Sequence, residues 1–234
     1  MTELQLERFL PDRDSFLVEP EETFPESEYY TVTPMEDFRQ LGYLKRFLNL
    51  TGGFIAGGAF KNIFNDEPVK DLDIFFENEE TWAKAVKKLK KKKYKKIYKN
   101  DRVVAFRDPI TGVRLELIGA HFNEEFDNAP VVFKSVEETI RDFDFTITKF
   151  AVARKGNIYY AIYNPKFFEH LSLKRLSIDE QLVKPFSTFE RTLRYVSYGY
   201  SLCRDSKITL IKAVQDTEFE SDAQISASFY DGVD

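Results

Sequence analysis

Two short stretches carry the residue types that phosphoryl chemistry uses. Ile55-Ala56 runs into Gly57-Gly58, and thirteen positions after Gly58 comes Asp71-Leu72-Asp73-Ile74. A strand that ends in two glycines lets a polyphosphate approach the backbone closely, with amide N–H groups turned toward it. Side chains alternate across a strand, so Asp71 and Asp73 share one face while Leu72 and Ile74 turn into a core. Two neighbouring carboxylates repel each other unless a divalent cation bridges them. All-oxygen donors suit Mg2+, with Mn2+ as the substitute. A two-ion site of this kind activates an attacking hydroxyl and steadies a leaving pyrophosphate. It wants a third carboxylate from a neighbouring strand. In Val113-Arg114-Leu115-Glu116-Leu117 the apolar residues face one way and Glu116 the other, which makes Glu116 the first choice. Asp144, on the polar side of the alternating run Phe143–Thr148, is its competitor.

Gly-Gly, a gap and then Asp-Leu-Asp-Ile-Phe-Phe (71–76) resembles the signature of the DNA-polymerase-β-like nucleotidyltransferase superfamily. Asp144-Phe145-Thr146-Ile147 is similar to the Asp-Phe-Thr-Ile stretch of tRNA CCA-adding enzymes and bacterial poly(A) polymerases, which follows the catalytic strands and helps hold the nucleotide. Glu190-Arg191-Thr192-Leu193-Arg194-Tyr195 is similar to the Leu-Arg-x-x-Arg-Phe helix of the same group. The order agrees, and the resemblance spans roughly residues 53–200. It implies an α+β nucleotidyltransferase fold, a small mixed β-sheet flanked by helices, with a helical C-terminal extension. It also implies transfer of a nucleoside monophosphate from a nucleoside triphosphate such as ATP to an acceptor hydroxyl, with release of pyrophosphate. Asp71, Asp73 and Glu116 would then be the catalytic metal ligands and Gly57 and Gly58 the phosphate cradle. Lys61, Asp144, Arg191 and Arg194 are the further candidates for nucleotide contact.

The departures from that group bear on the acceptor. Lys61-Asn62 stands where Arg-Asp is usual after the glycines, and Asp142-Phe143 replaces a pair of arginines, with Arg141 one place further off. Lys184-Pro185 and Thr188 occupy the place of the Glu-Asp-x-x-Arg element that reads the incoming base. The chain is also short for the tRNA-gripping domains of those enzymes. A compact relative with a different acceptor is expected, and small nucleotidyltransferases of this look occur in phage genomes. The acceptor is an RNA or tRNA 3′ end, a small molecule or a protein side chain, with RNA preferred. A protein kept only for binding or assembly, and a toxin or defence component modifying tRNA or protein, are the rival readings.

Charge is unevenly placed. Ten lysines lie between Lys84 and Lys99, a positive surface able to neutralise phosphates. The same run also suits a solvated helix face followed by an edge strand that lysines protect from aggregation. From Asp216 to Asp234 there are six acids and no basic residue, so most of the net charge of −5 belongs to the tail.

The elements that must position these groups are legible in part. Thr33, Pro34 and Glu36 read as a helix start with a capping box, followed by an apolar stripe of Phe38, Leu41, Leu44 and Leu48 and a stop at Gly52-Gly53. Phe54–Ala56 and Asp71–Phe76 are strands, and Ala59–Phe64 is a short helix. Glu79 to Lys92 is a helix burying Trp82, Val86 and Leu89. Strands are expected near 95–99, 102–107, 113–119, 143–148 and 159–163. Helices are expected near 134–142, 187–203 and 207–215. The expected division is an N-terminal arm (1–32), a catalytic domain (33–164), a helical extension (165–216) and an acidic flexible tail (217–234).

Several chemistries are excluded. No apolar run approaches the roughly 20 residues of a membrane helix, and the N-terminus lacks the pattern of a secretory signal. Cys203 has no internal partner, so a cytoplasmic setting, host cytoplasm for a viral protein, is expected. His121 and His170 have no partners at metal-ligand spacing, and neither a Gly-x-Ser-x-Gly elbow nor a P-loop is present.

Overall fold

A computed structural model of the chain describes residues 23–100, 102–119, 133–179, 182 and 184–217. Most of the expected N-terminal arm, His121 and the acidic tail beyond Thr217 lie outside the described residues.

Glu79–Lys91 forms helix α3, which follows α1 (Lys45–Thr51) and α2 (Ala59–Phe64). Its sequence accounts for both of its ends. The Asn78 side chain accepts a hydrogen bond from the Thr81 amide, Glu79 and Glu80 sit in the first turn, and Lys88, Lys90 and Lys91 in the last, matching the helix dipole. Trp82, Ala85, Val86 and Leu89 form its buried stripe. They share one core with Leu72, Ile74, Leu115, Leu117, Val104 and Phe106 of the sheet.

That sheet has eight strands: β1 (Thr31–Pro34), β2 (Phe54–Ala56), β3 (Asp71–Phe75), β4 (Lys95–Lys99), β5 (Val103–Arg107), β6 (Arg114–Ile118), β7 (Phe150–Lys155) and β8 (Ile158–Tyr163). Their order is β1-β8-β7-β2-β3-β6-β5-β4. Only β3 and β6 pair in parallel; the other neighbours are antiparallel. The sheet is larger than the small one expected, chiefly because β7, not among the expected strands, joins β8 to β2 and β1 adds an edge. On the second face, α4 (Val136–Arg141) covers β2, β7 and β8 with Val136 and Ile140 packed on Phe54, Ala56, Ala151 and Ile162. Alternation along β3 puts Asp71 and Asp73 on that second face, which α4 covers only in part.

The aromatic richness of the sequence is spent on the main core. Phe150 meets Phe60 at 4.5 Å between ring centroids, Phe167 at 4.9 Å and Tyr163 at 5.1 Å. Each such ring, once buried, contributes about 1.5–3 kcal/mol.

Two expectations fail locally. Thr33 and Pro34 do not begin a helix: they end the edge strand β1, opposite Ala161 and Tyr160 of β8. The apolar stripe that follows runs through 3-10 turns at Met35–Asp37 and Arg39–Leu44 before α1 starts at Lys45. Spacing of three suits a 3-10 turn as well as an α-helix, and a proline is tolerated on an edge strand. Residues 143–148 are likewise not a strand. Thr146–Thr148 is a 3-10 turn, and Thr146, on the polar side of the expected strand, is buried with its hydroxyl 2.7 Å from His170 Nδ1.

Beyond Pro165 come α5 (Phe167–Ser172), α6 (Pro185–Ser197) and α7 (Arg204–Gln215). A parallel pair of two-residue strands, β9 (Arg175–Leu176) and β10 (Ser201–Leu202), ties them together. β10 falls inside the stretch expected to be helical to Cys203. Phe167, Leu176, Tyr195 and Leu210 join the same core as the sheet. Among the described residues no helix is long and apolar enough to cross a membrane.

Candidate active site

β2 delivers the chain to Gly57, whose φ of 100° lies where a side chain on Cβ is strained. A Cβ placed there would lie 3.6 Å from Asp73 Oδ2 and 3.6 Å from the Phe143 ring. The glycine turn and the second aspartate, separate in sequence, are therefore neighbours in space. The Gly57 amide donates to the Phe150 carbonyl at 3.1 Å, so of the two glycine amides expected to meet phosphate this one is already engaged. A Cβ on Gly58 would come within 3.2 Å of the Tyr195 hydroxyl. These residues open on a cleft of about 330 Å³, lined by Gly57, Gly58, Asp73, Phe143, Asp144, Arg191 and Tyr195 among others. A larger, mostly apolar groove of about 560 Å³ lies between α6 and α7 and has no carboxylate in its lining.

Strand register assembles the acidic cluster. Asp73 lies opposite Glu116, and Asp71 opposite Arg114, across the parallel β3–β6 pair. All four side chains belong to one face of the sheet. Glu116 is buried, with 7% of its side chain exposed, whereas Asp71 is 42% exposed. Arg114 stands between them: its Nη2 is 2.7 Å from Asp71 Oδ2 and its Nε 2.5 Å from Glu116 Oε1. The second contact is proximity of charge, since neither Arg114 Nε nor Glu116 Oε1 has a properly aligned hydrogen bond. Burial first, then the charges of Glu116 and Asp71, push the Asp73 carboxyl from 3.8 up to about 8, against a weaker downward pull from Arg114. Burial also raises Glu116, opposed by Tyr98 and Arg114. Tyr98, two strands away on β4, faces Glu116 across the small Ala105. Its hydroxyl is pushed up to about 12 by burial and by that carboxylate.

The donor set fits a hard divalent cation in chemistry: three carboxylates on one face, too close to be comfortable as anions, and one buried oxygen without a hydrogen bond. The arrangement is not a finished cage. Among the described residues no three acidic, His or Cys side chains are gathered as metal ligands, and Glu116 is engaged by Arg114.

The remaining candidates divide. Asp144 and Arg191 line the cleft and hold each other: the Arg191 guanidinium donates to Asp144 Oδ2, while Oδ1 accepts from Thr188 Oγ1 at 2.9 Å. Arg191 also donates to Ser187 Oγ at 3.0 Å. Asp144, the competitor for third metal ligand, is thus bound into the start of α6. Lys61 is placed away from the cleft, buried with Nζ 2.6 Å from Glu67 and lying over the Tyr198 and Tyr200 rings. Arg194 is on the exposed side of α6 and is not part of the cleft lining.

The lysine run sits mostly behind the site. α3 packs on the sheet face opposite the carboxylates, and Lys96 aligns through Phe106 with Leu115 on that same hidden side. Lys95 alone of the β4 lysines lines up, through Arg107 and Arg114, with Asp71. Arg107, Arg114, Tyr98 and Tyr195 were not among the sequence candidates. For Arg114 the signal existed, because it is two residues before Glu116 on one strand and so had to share its face.

Comparison with solved structures returns CCA-adding enzymes. One in complex with ATP matches with a TM-score of 0.60 at 13% identity, covering 86% of this chain and 51% of that one. The Thermotoga maritima enzyme in complex with tRNA matches with a TM-score of 0.58 at 14% identity, covering 89% and 52%. At such identities the likeness establishes the nucleotidyltransferase-like α+β fold. Among curated proteins, Gabija anti-defense 2 of Bacillus phage SPbetaL7 is 24% identical over 170 residues, which is 69% of this chain. The chain spans only about 37% of that relative's length. The model of the Gabija anti-defense 2 family protein matches residues 34–174, from the end of β1 through both carboxylate strands to the threshold of β9. With more than half of its residues inside that match, the chain belongs to the Gabija anti-defense 2 family.

Proposed function

We propose that this chain is a divalent-cation-dependent nucleotidyltransferase that moves a nucleoside monophosphate from a triphosphate to an acceptor hydroxyl and releases pyrophosphate. The observation that carries this reading is the register of Asp71, Asp73 and Glu116 on one sheet face, with Asp73 beside the Gly57 turn. Asp71 and Asp73 would hold Mg2+, or Mn2+ in its place, with Glu116 as the third donor. Bound there, the ion supplies charge neutralisation for the triphosphate and lowers the barrier to ionising the acceptor hydroxyl. The Gly58 amide would then donate to a phosphate oxygen. Phe143 and Tyr195 wall the cleft, and the Asp144–Arg191 clasp fixes the α6 side of it.

RNA remains the preferred acceptor, supported by the CCA-adding fold relatives. Lys95 and Arg107, on the carboxylate face, are better placed for a polyanion near the site than the lysines of α3. Those lysines would hold the polyanion at a distance. Membership of a phage anti-defence family supports a target inside the infected host, so a host RNA or a protein of the defence system is the natural place to look. The test is incubation of the full chain with α-labelled nucleotides, Mg2+ or Mn2+, and either total RNA or host lysate. Label should appear in one fraction and vanish in Asp71→Ala and Asp73→Ala.

The second reading is a binding protein on the same fold with catalysis lost. Arg114 between the carboxylates and the diversion of Lys61 to Glu67 favour it. Tight nucleotide-independent association with a host partner, with no label transferred by the folded wild type, would establish it instead.

A further inference from the structure

Among the described residues, Arg114 is the one guanidinium placed among the three carboxylates by direct contact. Fully ionised, the three acids against one arginine leave two negative charges, which one divalent ion balances. A second ion needs Glu116 released as a ligand. The hold on Arg114 is strong in charge but aligned at one end only. Its Nη2 bonds Asp71, a carboxylate that is 42% exposed, and its Nε lies against Glu116 Oε1 without an aligned hydrogen bond. Arg107, directly opposite on β5, presents a like charge on the same face and donates to the Gly112 carbonyl at 3.2 Å. With 29% of the side chain exposed, the guanidinium has a way out toward solvent.

We propose that Arg114 is a resident counter-ion occupying the cation position between Asp71 and Glu116, and that a divalent ion takes that position only by displacing the guanidinium. Arg114 then sets how many ions the site holds and how tightly. In the metal-free protein it relieves the repulsion of the acids. Once displaced, it stands beside Arg107 on the open face, free to meet an anionic group of the incoming substrate. This rests on the reading of the cluster as a metal site, and the experiment separates the two.

Free Mn2+ is titrated by electron paramagnetic resonance against the full chain as wild type, Arg114→Gln, Arg114→Lys and Asp73→Asn, with circular dichroism melts as the check on folding. Arg114→Gln is expected to bind its tightest Mn2+ about tenfold more strongly than wild type and to gain a second ion. Arg114→Lys, whose compact ammonium cannot bridge both acids, should fall between them and serves if the Gln variant fails to fold. Folded Arg114 variants that bind Mn2+ no better than wild type overturn the counter-ion role. If wild type binds and Asp73→Asn does not, the metal site itself survives that result. If no chain binds Mn2+ at millimolar concentration, the metal reading and this inference fall together.

Discussion

Replacing Asp73 by Asn should stabilise the metal-free protein, and the pH and metal dependence of that gain tests the whole account of the cluster. Folded, the carboxyl titrates at about 8; its ordinary value is 3.8. Between those two pH values the folded state binds a proton that the unfolded chain has lost, so stability falls as pH rises from about 4 to 8. The cost is absent below that window and complete above it. At about 1.4 kcal/mol per pKa unit, the ionised carboxyl costs the metal-free fold at most about 6 kcal/mol. Water entering the cleft and movement of Arg114 relieve part of this, and a net gain of about 2–3 kcal/mol for Asp73→Asn at pH 8 is expected. The assay is urea unfolding in EDTA from pH 5 to 8.5. The two proteins should lie close together at pH 5 and diverge steadily above it. Repeated with Mg2+ or Mn2+, the gap closes: wild type gains about 3 kcal/mol at a hundredfold excess over the dissociation constant, and the variant gains little. An Asn variant less stable than wild type throughout, with parallel pH curves and no difference in metal response, would refute the argument that these carboxylates are held against their repulsion for a cation.

Three further predictions concern the surroundings. Gly57→Ala should lower the unfolding free energy by about 1–3 kcal/mol through backbone strain, because the new methyl meets only ordinary contacts at 3.6 Å; a calorimetric melt checks it, and an unchanged midpoint contradicts the left-handed turn. Asp144→Ala and Arg191→Ala should each cost about 1–3 kcal/mol, and the double variant should cost less than their sum by about 1–2 kcal/mol. Additive urea midpoints would mean that the clasp contributes nothing. Reversing Lys87, Lys90 and Lys91 on α3 to Glu should leave nucleotide transfer near wild type, whereas reversing Arg107 and Lys95 should weaken a polyanionic acceptor at least tenfold. Equal losses in a filter-binding assay would show that the sheet register does not divide these charges.

Much of the fold was legible because periodicity is local. The burial stripe of α3, the alternation of β3 and the turn between β5 and β6 each follow from a few consecutive residues. Failures came where a distant partner decided. Thr33-Pro34 reads as a helix start, yet β8 supplies a strand to pair with it. Thr146 alternates as a polar-side strand residue, yet it lies in a 3-10 turn with its hydroxyl on His170 in the core. At the site, sequence could nominate Asp71, Asp73, Glu116 and the glycines, because their spacing on strands and turns is intrinsic. It could not say that Lys61 turns to Glu67, or that Asp144 is already bound by Thr188 and Arg191.

The sequence by itself determined which side chains share a face: two-residue spacing on a strand puts Asp71 with Asp73, and Arg114 with Glu116, whatever the rest of the chain does. Only the tertiary structure decided that β3 and β6 lie side by side in a register that sets Asp73 against Glu116 and Arg114 against Asp71. Only it placed most of the lysine run behind the sheet. The reason is that strand pairing and helix docking are chosen by burial summed over the whole core, a quantity that no short window of residues contains.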